Sequence, residues 1–226
     1  MRTIGLIGGT SWHSTIAYYR LINEKVGETR GTWSNPEMLI YSINIEIMRE
    51  QDPDRINAKY LEVSQVLQKS GAEALVICAN TPHMAYDHVQ PRIHIPILHI
   101  AEATGRKAAQ LGARKVGLLG NKPTMTRGFI PEYLNREFGI DTIIPQGEAL
   151  DRSHHFVSKE LTQGKFTEEA RKFYLGEIAD LKTRGADAIV LGCTELPLLI
   201  NQDSTDIPLL PTTELHASMA ADFILS

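Results

Sequence analysis

A thiol and a carboxylate stand two positions apart where an apolar run ends. In the stretch 188-AIVLGCTELP-197, Gly192 ends the run, and Cys193, Thr194 and Glu195 follow it. A thiolate can act as a base, and a neighbouring carboxylate can orient the thiol or remove its proton. From the spacing alone, an ordinary surface carboxylate is an equal alternative for Glu195. The stretch therefore predicts cysteine chemistry at a turn after a strand.

The elements around this turn alternate between strand and helix. Amphipathic stretches of helical periodicity cover residues 55–71 and 167–185, and short apolar runs rich in β-formers lie around them. These runs cover residues 3–8, 38–45, 74–79, 95–100, 115–120, 188–193 and 207–211. The alternation is typical of an α/β protein in which helices flank a parallel sheet.

An internal repeat divides the chain. The segment 71-GAEALVICANT-81 matches 185-GADAIVLGCTE-195 at an offset of 114 residues. Two further matches have an offset of 112 residues, 2–8 on 114–120 and 95–98 on 207–210. The repeat predicts two similar α/β lobes, one of residues 1–100 plus 213–226 and one of residues 101–212. The alternative is that buried strands share a Val, Ile and Leu composition without being related.

The repeat also assigns roles to the two cysteines. Cys193 aligns with Ala79, and Cys78 is the preceding residue. Because adjacent residues of a strand point to opposite faces, Cys78 is predicted to lie in the core. Open α/β sheets bind ligands at the carboxyl ends of their strands, so Cys193 is predicted to line a cleft between the lobes.

Composition excludes several function classes. The formal net charge of −4 argues against a nucleic-acid surface, and the chain contains only two cysteines, too few for a disulfide framework. We expect a cytoplasmic protein with no membrane segment. His154–His155 and the pair His94 and His99 lack a third ligand at a recognisable spacing, so no metal is expected. The glycines that follow the first strand do not have dinucleotide-binding spacing.

Four motifs together resemble the aspartate/glutamate racemase family. They are 8-GGTSWHST-15, 78-CANTPH-83, 117-GLLGNKPTM-125 and 192-GCTEL-196. The resemblance implies a homodimer of two pseudo-symmetric α/β halves, with an acidic amino acid as substrate and no pyridoxal phosphate or other cofactor. It implies catalysis by Cys193 with Glu195. It also implies substrate binding by Gly9, Thr10, Ser11, Asn80, Thr81, His83, Thr124 and Thr194.

The chemistry of racemisation fits a duplicated fold. An α-proton is removed from one face of a planar intermediate and another is added to the opposite face, so acid and base must oppose each other. A helix beginning just after Cys193 would depress the pKa of the thiol and bind the substrate carboxylate. Asn80, Thr81 and Thr194 are uncharged donors suited to that carboxylate, and helix capping is their alternative role.

This sequence departs from the family pattern at the first catalytic cysteine. Ala79 occupies that position and cannot carry a proton. Thr10, His13 and Asn121 replace the Met, Glu and Thr that are usual in the family. The departure predicts a one-sided enzyme, unless His83 or His13 supplies the second proton. A single-cysteine carbanion enzyme such as a decarboxylase and a non-catalytic amino-acid binder are the alternatives.

A dicarboxylate substrate would require a cation for its side chain. Arg49, Arg55 and Lys165 lie in the segments where the family's side-chain contacts tend to fall. Each is also explained as a solvated surface charge.

Overall fold

The computed structural model describes residues 1–226, which form two compact units. The first unit contains residues Met1–Ile100 and His216–Ser226, and the second contains residues Ala101–Leu215. Each unit has one four-stranded, fully parallel sheet. The predicted α/β class with two similar halves is therefore confirmed.

The strands follow the same order in both sheets, β2-β1-β3-β4 and β6-β5-β7-β8. Their bounds are β1 Ile4–Gly8, β2 Met38–Ser42, β3 Ala74–Ile77, β4 Ile97–Leu98, β5 Lys115–Leu119, β6 Asp141–Ile143, β7 Ala188–Leu191 and β8 Leu209–Pro211. The sequence patterns missed β6, a three-residue edge strand that begins with an exposed aspartate. Such a strand has too few residues to show an alternating pattern.

Eleven α-helices connect and cover the strands. They are α1 Trp12–Arg30, α2 Glu46–Arg49, α3 Pro53–Lys69, α4 Tyr86–Val89, α5 Ile100–Gln110, α6 Lys122–Thr126, α7 Pro131–Phe138, α8 Glu148–His155, α9 Glu168–Thr183, α10 Leu196–Leu199 and α11 Thr212–Leu225. A π-helical turn, Phe156–Glu160, continues α8. No helix of the 226 residues is both long enough and apolar enough to cross a membrane.

Equivalent helices cover equivalent sheet faces. In the first unit, α3 packs on one face of the sheet, and α1 and α11 pack on the other. In the second unit, α9 takes the place of α3. A glycine in each central strand allows this approach. A Cβ on Gly5 would lie 3.3 Å from the Cβ of Leu67 in α3, and a Cβ on Gly117 would lie 3.2 Å from the Cβ of Leu181 in α9.

Paired glutamines support the last strand of each sheet. Gln90 donates to the carbonyl of Ile95 at 3.2 Å and accepts the backbone N–H of Ile97 at 2.6 Å. Gln202 donates to the carbonyl of Ile207 at 3.0 Å and accepts the N–H of Leu209 at 2.9 Å. These two hydrogen bonds recur at the same spacing in both segments, and Gln202 also donates to the carbonyl of Thr205 at 3.1 Å. The sequence comparison matched residues 95–98 with 207–210 of these segments.

Candidate active site

The turn after β7 places a thiol against a carboxylate. The N–H of Gly192 donates to the carbonyl of Leu119 at 2.7 Å, which joins the end of β7 to that of β5. Cys193 follows with 8% of its surface exposed, and its thiol donates to Glu195 Oε2 at 2.9 Å. Glu195 is 7% exposed, and its other oxygen, Oε1, is buried without a hydrogen-bond partner.

This environment raises the pKa of Cys193 well above its usual value. Burial is the largest cause, and the charge of Glu195 is the second. The backbone N–H groups of Glu195 and Leu196 act in the opposite direction, but α10 is only four residues long and their effect is smaller. The expected net lowering of this pKa is therefore wrong for the protein without substrate, because burial and Glu195 outweigh the backbone N–H groups and keep the thiol protonated.

The rest of the carboxyl edge of the second sheet packs closely around this turn. A Cβ on Gly192 would meet Thr124 Cγ2 at 3.3 Å, so Thr124 lies beside the residue that precedes the thiol. The Asn121 side chain caps α6 by accepting the Thr124 N–H at 2.9 Å. Thr194 is partly exposed. The structure thus brings together four of the predicted site residues, Thr124, Cys193, Thr194 and Glu195.

The equivalent turn in the first unit has no thiol on the corresponding side. The Cys78 N–H donates to the carbonyl of Ile7 at 2.9 Å, as the Gly192 N–H does to Leu119 in the second unit. Cys78 is 1% exposed among core residues of β1, β3 and α1, and burial raises its pKa strongly. The prediction that Cys78 is a core residue is confirmed, and Ala79 is the partly exposed residue that follows it.

His83 is buried beneath this turn. The Ile100 N–H donates to His83 Nε2 at 3.2 Å, so the ring proton is on Nδ1, which donates to the carbonyls of Ala79 at 2.9 Å and Asn80 at 3.2 Å. Burial, with a contribution from His216, lowers the pKa of His83 to about 3. With both nitrogens on backbone partners, His83 positions the turn, and this geometry does not support the predicted contact with substrate or transfer of a proton.

The other predicted residues of the first unit lie at the ends of β1 and β3. The Gly9 N–H donates to Thr15 Oγ1 at 3.0 Å, and Gly9 has a φ of +90° beside the end of β2, where a Cβ would lie 2.1 Å from the carbonyl oxygen of Ile43. Ser11 caps α1 by accepting the Ser14 N–H at 3.2 Å.

Asn80 and Thr81 begin the short 3-10 turn that follows β3. Asn80 is buried, and Thr81 is partly exposed. The Asn80 side chain makes no capping hydrogen bond to this turn. The helix-capping alternative therefore finds no support at Asn80.

Sequence reasoning missed Tyr60, whose hydroxyl lies 2.8 Å from Thr10 Oγ1. Tyr60 is a buried residue of α3, fifty positions further along the chain. The repeat offset of 114 contained a signal, because it pairs Tyr60 with Tyr174, a buried tyrosine of α9.

The candidate cations differ in their partners. Arg55 forms an ion pair with Glu50, whereas Arg49 and Lys165 are exposed and form no ion pair in the structure.

His13, the other candidate proton donor, is exposed and stacks on Trp12 with 3.5 Å between the ring centroids. No group of three His, Cys, Asp or Glu side chains is placed to hold a metal ion.

Comparison with known proteins extends over nearly the whole chain. Residues 7–220 match the sequence model of the Asp/Glu/Hydantoin racemase family. The broad specificity amino-acid racemase RacX of Bacillus subtilis is 21% identical over 99% of this chain and 98% of its own length.

Two solved structures match over the full length of both chains. One, from Yersinia pestis and described as a candidate Asp/Glu racemase, is 35% identical with a TM-score of 0.94. The other, an aspartate racemase homologue from Pyrococcus horikoshii, is 30% identical with a TM-score of 0.88. Two parallel four-stranded sheets with flanking helices, a thiol–carboxylate turn after β7 and these matches lead to one assignment: the chain belongs to the Asp/Glu/hydantoin racemase family of amino-acid isomerases.

Proposed function

We propose that this protein is a cofactor-independent racemase of aspartate or glutamate that uses Cys193 for α-proton transfer and works mainly on one enantiomer. The observation that carries the proposal is the 2.9 Å contact between Cys193 Sγ and Glu195 Oε2, together with alanine at the matching position 79. The activities for which the relatives are named support the reaction class, and the names of the solved relatives support an acidic substrate.

The Cys193–Glu195 pair can hold one negative charge and pass it from oxygen to sulfur. Glu195 accepts the thiol proton, and the resulting thiolate takes the α-proton of the substrate, whose electron pair stays on the α-carbon. Return of the proton from sulfur restores the same enantiomer.

Inversion requires a proton from the opposite face, and Ala79 has none to give. We therefore expect exchange of the α-proton with solvent to exceed racemisation. We also propose that the substrate contacts Gly9, Ser11, Asn80, Thr81, Thr124 and Thr194, as the resemblance implies, and that its side-chain carboxylate binds Arg49 or Lys165. Arg55 is a matched control for these two cations, because Glu50 already pairs with it.

A cytoplasmic location, which the sequence composition led us to expect, and a homodimer, which the family resemblance implies, remain part of the proposal. Sedimentation of the purified protein tests the dimer. A single sedimenting species of about 25 kDa, the mass of one chain, would contradict it.

The decisive experiment follows deuterium incorporation into L- and D-aspartate and glutamate in D₂O, with chiral separation of the products. Cys193→Ser should abolish exchange, because a hydroxyl is a far weaker acid than a thiol, and Cys78→Ser should keep it. Loss of exchange in Cys78→Ser alone would contradict the assignment of the two thiols. Release of CO₂ would identify the decarboxylase alternative, and binding without exchange would identify a non-catalytic binder.

Glu195→Gln separates the two effects of the carboxylate. Removing its charge should lower the pKa of Cys193 and speed thiol alkylation near pH 8. Exchange should fall about 10²-fold or more, because glutamine cannot accept the thiol proton. Alkylation rates against pH and deuterium exchange measure the two effects. Wild-type exchange in this variant would rule out Glu195 as the proton acceptor.

A further inference from the structure

We infer that Thr10 and Tyr60 form a specificity-determining donor, in which the buried phenol fixes the Thr10 hydroxyl so that it donates to a carboxylate oxygen of the substrate. The inference rests on the proposed function, because it assigns a contact to the acidic substrate. It concerns a residue at which this chain departs from the usual family pattern.

The burial of Tyr60 determines which residue donates in the hydrogen bond between Tyr60 and Thr10. Tyr60 is 1% exposed, and its hydroxyl has one hydrogen-bond partner, Thr10 Oγ1 at 2.8 Å. A buried phenol O–H requires an acceptor, so Tyr60 donates and Thr10 accepts. Burial raises the pKa of Tyr60 strongly, which keeps that proton on the phenol. The hydroxyl proton of Thr10 then remains available for another acceptor.

The position of Thr10 favours a ligand as that acceptor. Thr10 is partly exposed and follows the carboxyl end of β1, the edge of a parallel sheet at which ligands bind. The residues on both sides of it are held in place, Gly9 by its contact with Thr15 and Ser11 by its capping bond to Ser14. The hydroxyl is therefore presented from a fixed loop and does not have to be ordered when substrate binds.

The second unit provides the internal contrast. Tyr174, the repeat partner of Tyr60, donates to the carbonyl of Ser153 at 3.0 Å and also lies 3.2 Å from Ser153 Oγ. The Ser153 hydroxyl in turn donates to the carbonyl of Gly120 at 2.8 Å. Both hydroxyl protons of the Tyr174–Ser153 pair are therefore donated to backbone carbonyls. In the Tyr60–Thr10 pair of the first unit, the hydroxyl proton of Thr10 remains available.

A carboxylate is the acceptor that matches such a donor. A hydrogen bond to a charged group is stronger than one between neutral groups, and a site with a fixed donor discriminates against ligands that lack the acceptor. Methionine, the usual family residue at this position, has no O–H to donate. The pair should therefore increase the preference of this chain for a substrate with an oxygen at this point.

The test measures exchange kinetics in four variants. Thr10→Val, which removes the hydroxyl with little change of shape, should lower kcat/KM for aspartate about 10- to 100-fold, mainly through KM. Thr10→Ser should restore it, and Tyr60→Phe should give an intermediate loss. Tyr174→Phe, the matched control, should leave KM unchanged. A purely structural role of Thr10 would not separate KM from kcat in this way.

Alanine as a second substrate distinguishes the two carboxylates. If the donor contacts the side-chain carboxylate, Thr10→Val affects aspartate and leaves alanine unchanged; if it contacts the α-carboxylate, both substrates lose equally. Wild-type kinetics in Thr10→Val would overturn the inference and leave the proposed function standing. If the wild type shows no exchange, the proposed function fails. In that case, calorimetry of aspartate binding tests whether the Thr10 hydroxyl donates to the ligand. Equal affinity of the wild type and Thr10→Val, or no binding by the wild type, overturns the inference.

Discussion

The turns after β3 and β7 have the same backbone frame and different chemistry. In both, the residue after the strand bonds to the end of the neighbouring central strand, through Cys78 to Ile7 and through Gly192 to Leu119. The next position is Ala79 in one unit and Cys193 in the other. The frame is thus independent of the reactive group, so the thiol can be absent from one unit while the fold of both is retained.

The side chains that contact the two turns also differ in their chemistry. Cys193 is accompanied by a carboxylate that can take its proton, whereas the turn of Ala79 is held by a neutral imidazole that has no proton to give near pH 7. Under the proposed function, proton transfer takes place at the turn of the second unit, whereas His83 holds the backbone of the turn in the first unit.

Ala79→Cys should produce the largest change. It places a thiol at the position that matches Cys193, so racemisation should rise about 10²–10⁴-fold relative to exchange, the usual contribution of a positioned acid. Chiral separation combined with deuterium incorporation gives the ratio. Ala79→Ser is the control, because its weakly acidic hydroxyl should give little gain. A wild type that racemises as fast as it exchanges would show that an acid is already in place.

Acid should destabilise the first unit through its buried histidines. Burial lowers the pKa values of His83 and His216 to about 3, so between pH 6.5 and 3 the unfolded chain binds more protons than the native protein. Stability should therefore fall as the pH falls through this range, by up to about 1.4 kcal/mol per pH unit for each histidine. Denaturant unfolding between pH 4 and 8 measures the slope.

His216→Gln is the matched variant for this prediction. His216 accepts the Tyr18 hydroxyl at 2.8 Å and donates to the carbonyl of Leu98 at 2.7 Å, and a glutamine amide can replace both bonds without titrating. The variant should lose stability less steeply on acidification. An unchanged slope would mean that other groups cause the acid sensitivity.

The smallest effect concerns the acidic residue that precedes the third strand of each sheet. Glu73 accepts one backbone N–H, from Thr3 at 2.9 Å, whereas Asp187 accepts two, from Arg114 at 2.8 Å and Lys115 at 3.0 Å. Asp187→Ala should therefore cost about 1 kcal/mol of unfolding free energy, and Glu73→Ala about half as much. Paired urea melts provide the comparison, and equal losses would contradict the bond count.

Sequence reasoning predicted what repeats and missed what depends on tertiary contacts. The offset of 112 to 114 residues was enough to predict two α/β halves and to assign Cys78 to the core, because strand register fixes the facing of neighbouring residues. The pKa direction of Cys193 was wrong, because burial and the Glu195 charge outweigh the backbone N–H groups. The burial of the thiol and its distance from the Glu195 carboxylate depend on tertiary packing, which a local sequence pattern does not predict.

His83 and Tyr60 show the same limit. The position of His83 near a strand end predicted a site residue. In the structure, its ring instead hydrogen-bonds to the N–H of Ile100 and to carbonyls of its own turn. Likewise, the Tyr60 contact with Thr10 joins α3 to the loop after β1, and only the repeat partner Tyr174 hinted at it. The second unit repeats the tyrosine but not its partner, because Tyr174 bonds to Ser153, so the repeat could not predict the contact with Thr10.

The segments that begin with Gln90 and Gln202 share the same supporting hydrogen bonds. Residues 90–97 and 202–209 have equal length, and each begins with a glutamine that bonds to the fifth and seventh residues after it. Each segment thus carries the side chain that shapes it and does not rely on its host for that bond pattern. An engineer could therefore treat the segment as a cassette, moving either copy into the other unit to make chimeras without redesigning the strand that follows.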